Sequence, residues 1–154
     1  MLGIGLCFLL GCVTVLSEDV IKKSNVVSFQ ELQQANEKHV GQVVILGGTI
    51  AKVIEGNQLE VIQRPLGYRM EPEYGDRTDG RFIVQFDQNL DDKQFPKDRG
   101  ITVAGEVVGN KTLPFDQTNY VYPLLRVREY HVWPEMVLIP MPDYHMRHGM
   151  MGLF

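Results

Sequence analysis

The sequence predicts a mainly β protein: a small five- to six-stranded OB-like antiparallel barrel with one short N-terminal helix. Three observations point there. Short runs rich in β-branched residues recur between residues 42 and 132, while long helical periodicities are scarce. The first two runs are joined by the turn-forming Glu55-Gly56-Asn57-Gln58, as in a hairpin. The first and fourth runs are interrupted by glycine, at Gly47-Gly48 and at Gly105, which the strong coiling of a short barrel requires.

The bulk numbers agree with one folded domain. A chain of 154 residues holds a single domain with a real core and hardly two. Its hydrophobic fraction of 44% and charged fraction of 22% are ordinary for such a domain. A net charge of -4 lends no support to nucleic-acid binding, which usually shows as a basic face. Cys7 and Cys12 are too few for a disulfide framework.

Residues 2–16 carry no charged side chain, and the first charges are Glu18 and Asp19. A membrane-spanning helix needs ~20 apolar residues. This stretch is shorter, and Gly3, Gly5 and Gly11 interrupt it. A secretory signal needs an apolar run of only ~7–15 residues, which fits. Leu9-Leu10-Gly11-Cys12 resembles the bacterial lipobox. There a cysteine thiol is diacylglycerol-modified, the chain is cut before it, and the new amino terminus is acylated. The chemistry needs a sulfur to form the thioether and a small preceding residue to admit the peptidase. Cys7 fails that test, because bulky Leu6 precedes it. One departure is that Met1 alone forms the segment before the apolar run, without Lys or Arg. Three acyl chains would hold the protein firmly, since stable anchoring takes two lipid signals. Val13 stands where an Asp commonly marks inner-membrane retention, which favours the outer membrane.

The expected organisation is therefore a signal peptide over 1–11, a lipidated N-terminus and polar tether over 12–27, a β-barrel domain over 28–135, and a loosely ordered Met- and His-containing tail over 136–154. Ser28-Phe29-Gln30-Glu31 matches a capping box, predicting a helix over 28–38 with Phe29 and Leu32 facing the core. Gly41 lies just past its end, where a left-handed residue belongs. Strands are predicted over 42–53, 59–63, 81–86, 101–108 and 120–132. Residues 64–80 and 87–100 read as polar connections. Pro123 inside the last strand suggests an edge or a bulge.

The pieces Val44-Ile-Leu-Gly-Gly-Thr-Ile50, Leu59-Glu-Val61, Pro65-Leu66, Gly80-Arg81-Phe82, Gly100-Ile-Thr-Val-Ala-Gly105, Tyr122-Pro123 and His131-Val-Trp133-Pro134 follow one another over roughly residues 24–135. In order and spacing they resemble the Slp family, the starvation-inducible outer-membrane lipoproteins of Gram-negative bacteria. The resemblance implies a lipid-anchored protein with a β-rich periplasmic domain, tied to starvation or stationary phase. It implies no catalytic residues.

The sequence carries few marks of catalytic chemistry. The sequence contains no G-x-S-x-G, H-E-x-x-H, P-loop or CxxC pair. In the processed chain Cys12 is the remaining cysteine, and its sulfur carries lipid. Glu71, Glu73, Asp76 and Asp79 offer oxygen ligands, but their spacing is not an EF-hand and Arg77 sits among them, so a solvated loop with local ion pairs is expected. His145 and His148, with Met146 between them, could bind Cu(I) through imidazole and thioether, although a Met-rich segment also simply fills apolar surface. Tyr68, Tyr74, Tyr120, Tyr122 and Tyr130 could line an outer barrel face and stack a ligand, or pack the barrel wall.

The expected function is a non-enzymatic binding or structural module of the envelope, anchored in the outer membrane and facing the periplasm. Its partners are the membrane, through lipid on Cys12, and an envelope protein or glycan, with no nucleic acid. No cofactor other than the covalent lipid is expected. Two other readings are a metal-handling protein using the His145/Met146/His148 tail and an enzyme acting on envelope polymers. The latter lacks a pair of carboxylates placed for acid–base work.

Overall fold

The computed structural model describes residues 15–34 and 36–135. Five strands form in it: β1 (Val43–Ile54), β2 (Gln58–Arg64), β3 (Arg81–Gln85), β4 (Gly100–Phe115) and β5 (Thr118–Val132). They close into a barrel in the order β1-β2-β3-β5-β4. β1 pairs antiparallel with both β2 and β4. β2 pairs antiparallel with β3, and β4 with β5. The barrel closes where Ile83–Gln85 of β3 run parallel to Leu124–Arg126 of β5. The expected small OB-like barrel is thus present, with one parallel seam where antiparallel pairing was expected throughout. The seam follows from connectivity: β4 crosses to pair with β1, and β5 returns beside β3 in the same direction.

Alternation builds the core. Val44, Leu46 and Ile50 point inward from β1, Leu59 and Val61 from β2, and Phe82 and Val84 from β3. Ile101, Val103 and Val107 from β4 and Leu125 from β5 complete it. The register shifts between Ile50 and Lys52 in β1, and between Ala104 and Gly105 and between Val107 and Gly109 in β4. Such bulges bend strands sharply enough to close a small barrel. Pro123 pairs with Asn110 beside the last of these shifts, as its sequence position suggested.

Two short helices are found where one was expected. α1 (Glu18–Lys23) lies in the stretch read as tether. It is capped by Ser17 and laced by Glu18–Lys22 and Asp19–Lys23 pairs at i,i+4 spacing. That stretch is packed on the barrel: Leu16 is buried, Ser17 binds Glu129 through its amide and hydroxyl, and Asn25 bridges to Val44. α2 (Phe29–Gln34) buries Phe29 and Leu32, and a 3-10 turn follows over Asn36–His39. The capping box is half formed. The Glu31 amide donates to Ser28 Oγ, but the Glu31 carboxylate meets His39 Nε2 at 3.1 Å rather than the Ser28 amide. Gly41 takes φ 87° at the expected position.

The largest difference is the length of β4 and β5. They remain paired from Gly109 opposite Leu124 out to Phe115 opposite Thr118. The fourth strand was expected to stop at Val108 and the fifth to begin at Tyr120. The extra pairs make an arm that leaves the barrel wall and positions the site described next.

Candidate functional site

The arm folds over the outer face of β2 and β3. Lys111 Nζ donates to Glu55 Oε2 at 2.9 Å and to Gln58 Oε1 at 2.6 Å. The Arg81 guanidinium lies 4.6 Å from the centroid of the Phe115 ring. The Arg81 amide and Gln33 Nε2 both donate to the Tyr120 hydroxyl, at 3.0 and 2.8 Å. Gly80 permits that approach, because a Cβ there would collide with the same hydroxyl. Residues 120 and 122 share one face of β5, and their rings meet edge-on at 4.6 Å.

Glu60 sits on the floor beneath the arm. Its position on β2 between the inward Leu59 and Val61 turns it outward, yet it is only 3% exposed because the arm covers it. A buried carboxylate needs partners. Arg81 supplies the main one, with Nη1 2.7 Å from Glu60 Oε1. The Tyr122 hydroxyl donates to the same oxygen at 3.3 Å, and Lys52 Nζ stands 3.6 Å from Oε2.

This network forms one wall of a cavity of about 640 Å³. β1 contributes Lys52 and Ile54, the arm contributes Leu113 and Phe115, and the β3–β4 connection contributes Lys97 and Asp98. The volume is that of a small-molecule site. Asp98 adopts φ 67°, a left-handed conformation that places this rim. Its amide is tied to the Ile50 carbonyl at 2.9 Å. Two smaller clefts continue past Asp98 and Gly100 towards Tyr74.

The Tyr122 phenol is pushed up to about 12, first by burial and then by the charge and hydrogen bond of Glu60. The phenol therefore keeps its proton at neutral pH, the proton it donates to Glu60. The raised value also makes a stability prediction. The unfolded phenol titrates near 10, so the stabilisation is complete below about pH 10 and is lost as pH rises through about 12. Alkaline unfolding of the wild type is expected to lose ~2–3 kcal/mol across that window. Tyr122→Phe should flatten this part of a urea-midpoint profile, and an unchanged slope would contradict it.

The other residues singled out by sequence are scattered. Cys12, His145, Met146 and His148 lie outside the described residues. The acidic loop is knitted to itself: the Glu71 carboxylate accepts from the Arg69 amide at 2.7 Å, and the Glu71 carbonyl accepts from Gly67 at the same distance. Asp79 gives its amide to Gln63. Among the described residues no group of three or more His, Cys, Asp or Glu side chains is placed to hold a metal ion. The tyrosines divide. Tyr68 and Tyr74 are exposed on the β2–β3 loop, Tyr130 packs against Phe86 and Phe95, and Tyr120 and Tyr122 join the site. Sequence reasoning missed Glu60, Arg81 and Lys52 as a group. The available signal was a charged residue between the apolar Leu59 and Val61: Glu60 pairs with Ile83, and Arg81, the partner of Ile62, stands diagonally from it on the next strand.

A 29%-identical relative, an uncharacterised protein of Haemophilus influenzae (strain ATCC 51907 / DSM 11121 / KW20 / Rd), aligns over 133 residues, 83% of this chain and 72% of its own. The family model for the outer membrane lipoprotein Slp family matches residues 9–150, beginning at the first leucine of the lipobox-like tetrad and running through all five strands. With nearly the whole chain matched and a small closed β barrel at its centre, this protein belongs to the Slp family of outer membrane lipoproteins.

Proposed function

We propose that the protein is held to the outer membrane by lipid on Cys12, faces the periplasm, and works by binding rather than catalysis. The binding site is the cavity between the β4–β5 arm and the outer face of β1–β3. Its physiological setting is starvation or stationary phase, as the family resemblance implies. One observation carries the binding reading: buried Glu60 and Tyr122, joined to half-buried Arg81, form the floor of a 640 Å³ cavity on the face that OB-type barrels use for oligomeric ligands. Within it, Arg81 is held by Glu60, the Tyr122 hydroxyl donates to the same carboxylate, and neither His39 nor His131 lines the cavity. This favours recognition over proton transfer.

Anchoring is tested by Cys12→Ser. The variant should appear in the soluble periplasmic fraction and lose metabolic labelling with palmitate. Palmitate labelling that persists in the variant would overturn the lipid on Cys12. Binding is tested in cells with a photo-crosslinking residue in place of Leu113, which lines the cavity from the arm. An adduct absent when the crosslinker replaces exposed Val26 supports the site, and no adduct counts against it.

A further inference from the structure

The chemistry of the cavity narrows what it holds. We propose that it binds a saccharide ring bearing an anionic substituent, an assignment that rests on the binding reading above. Two features select a polyhydroxylated ring. Lys52 Nζ and Glu60 Oε2 are 3.6 Å apart, too far for a good direct hydrogen bond. A hydroxyl seated over both accepts from the ammonium and donates to the carboxylate, a pairing that needs one group able to do both. Beside this point, Phe115 and Leu113 present apolar surface to the C–H face of a ring, and the same Phe115 is already held against Arg81.

Charge selects the substituent. Lys52, Arg81 and Lys97 line the cavity against Glu60 and Asp98. Glu60 is consumed by Arg81 at 2.7 Å. Lys97 forms no ion pair among the described residues, and Lys52 is largely exposed at the cavity mouth. With Lys52 and Lys97 set against Asp98, the rim carries one cation in excess around a satisfied floor, in a chain whose net charge is -4. Such a rim repays an anion and disfavours a cation. The geometry is preorganised, since Arg81 is clamped between Glu60 and Phe115 before any ligand arrives.

The anion can be a carboxylate, as on wall-derived amino sugars, or a phosphate, as on lipid-linked saccharides. Isothermal titration of the full chain in detergent separates them, using N-acetylmuramic acid, glucosamine 1-phosphate, N-acetylglucosamine and inorganic phosphate as probes. At least one acidic sugar should bind ~10-fold or more tighter than the neutral sugar, and inorganic phosphate should fall well below it. The tighter of the two acidic sugars names the source. Lys52→Ala and Lys97→Ala should each weaken the acidic sugar ~5- to 10-fold; Lys97→Ala, which touches no ion pair among the described residues, should do so with the thermal midpoint in place. Equal binding of neutral and acidic sugars, phosphate binding as well as the sugar, or no binding of any probe overturns the assignment. In the last case the Leu113 crosslink distinguishes the two failures. An adduct keeps the cavity as a site with another ligand, and its absence removes the site itself.

Discussion

Gly48→Ala is expected to destabilise the protein by at least ~3 kcal/mol and to leave much of it unfolded. The reason is where that methyl would go. A Cβ at Gly48 would overlap the carbonyl oxygen of Ile62 and lie 2.5 Å from Val61 Cγ1. The first contact is with the backbone of the paired strand, which cannot rotate away. Relief would mean separating β1 from β2, and Gly48 lies within their ladder opposite Gln63. Gly47 makes a useful contrast. A Cβ there meets the Leu66 side chain and, at 3.6 Å, Pro72. Leu66 belongs to the β2–β3 loop and can turn, so Gly47→Ala should cost less, ~1–2 kcal/mol. Gly41→Ala meets nothing, and its cost should be only the ~1 kcal/mol of a left-handed backbone. Urea midpoints should fall in the order Gly41→Ala, Gly47→Ala, Gly48→Ala from least to most affected. A Gly48→Ala protein within 1 kcal/mol of wild type would show that β1 and β2 do not approach in this way.

The second large effect lies in the floor of the cavity. Arg81→Ala should cost ~3 kcal/mol, because it strands the 3%-exposed Glu60 with only the more distant Lys52 and the Tyr122 hydroxyl. Glu60→Leu should cost less, ~2 kcal/mol, since Arg81 is about a quarter exposed and keeps its contact with Phe115. The double variant Glu60→Leu/Arg81→Leu should recover a substantial part of the loss, as no charge is then left buried. A double-mutant cycle by chemical denaturation reads the coupling directly. Additive losses would mean that the pair is solvated, and the cavity floor would not be the rigid platform described. Arg81→Lys should not rescue fully, because an ammonium cannot both reach Glu60 and lie flat on the Phe115 ring.

Much of the barrel was legible because its residues answer to one rule, alternation between a core and an exterior. Val44, Leu46, Leu59, Val61, Phe82, Val84, Ile101 and Val103 all obey it, and all are buried. The Gly47-Gly48 pair read as a bend or bulge, yet the register runs unbroken through it and shifts only between Ile50 and Lys52; at Gly48 the glycine instead admits the close approach of the Ile62 carbonyl. The arm was not legible. Lys111, Leu113 and Phe115 alternate too, but Asn110, Pro114, Asp116 and Asn119 read as turn, and the apolar face covers β2–β3 rather than the core. α1 was missed because it buries no residue, so it carries no periodic signal. Its marks are Ser17 and the two i,i+4 pairs, which six residues make easy to overlook. The site was hidden for a related reason. Glu60, Arg81, Lys52 and Tyr122 come from four strands, and only the fold of the arm brings them under one cover.

The docking of Leu16 and Ser17 on the barrel sets how far the domain can travel. Leu16 is 2% exposed, and Ser17 holds Glu129 at 2.6 Å through its hydroxyl. With the proposed lipid on Cys12, only Val13, Thr14 and Val15 separate the acylated residue from this fixed point. Fully stretched at ~3.5 Å per residue, that leash is ~14 Å long, about half the hydrocarbon thickness of a bilayer. On that proposal the barrel would keep to a thin shell at the membrane surface. Encounters with lipid-linked molecules would then be a two-dimensional search at high effective concentration. Wall polymers, by contrast, must come to it.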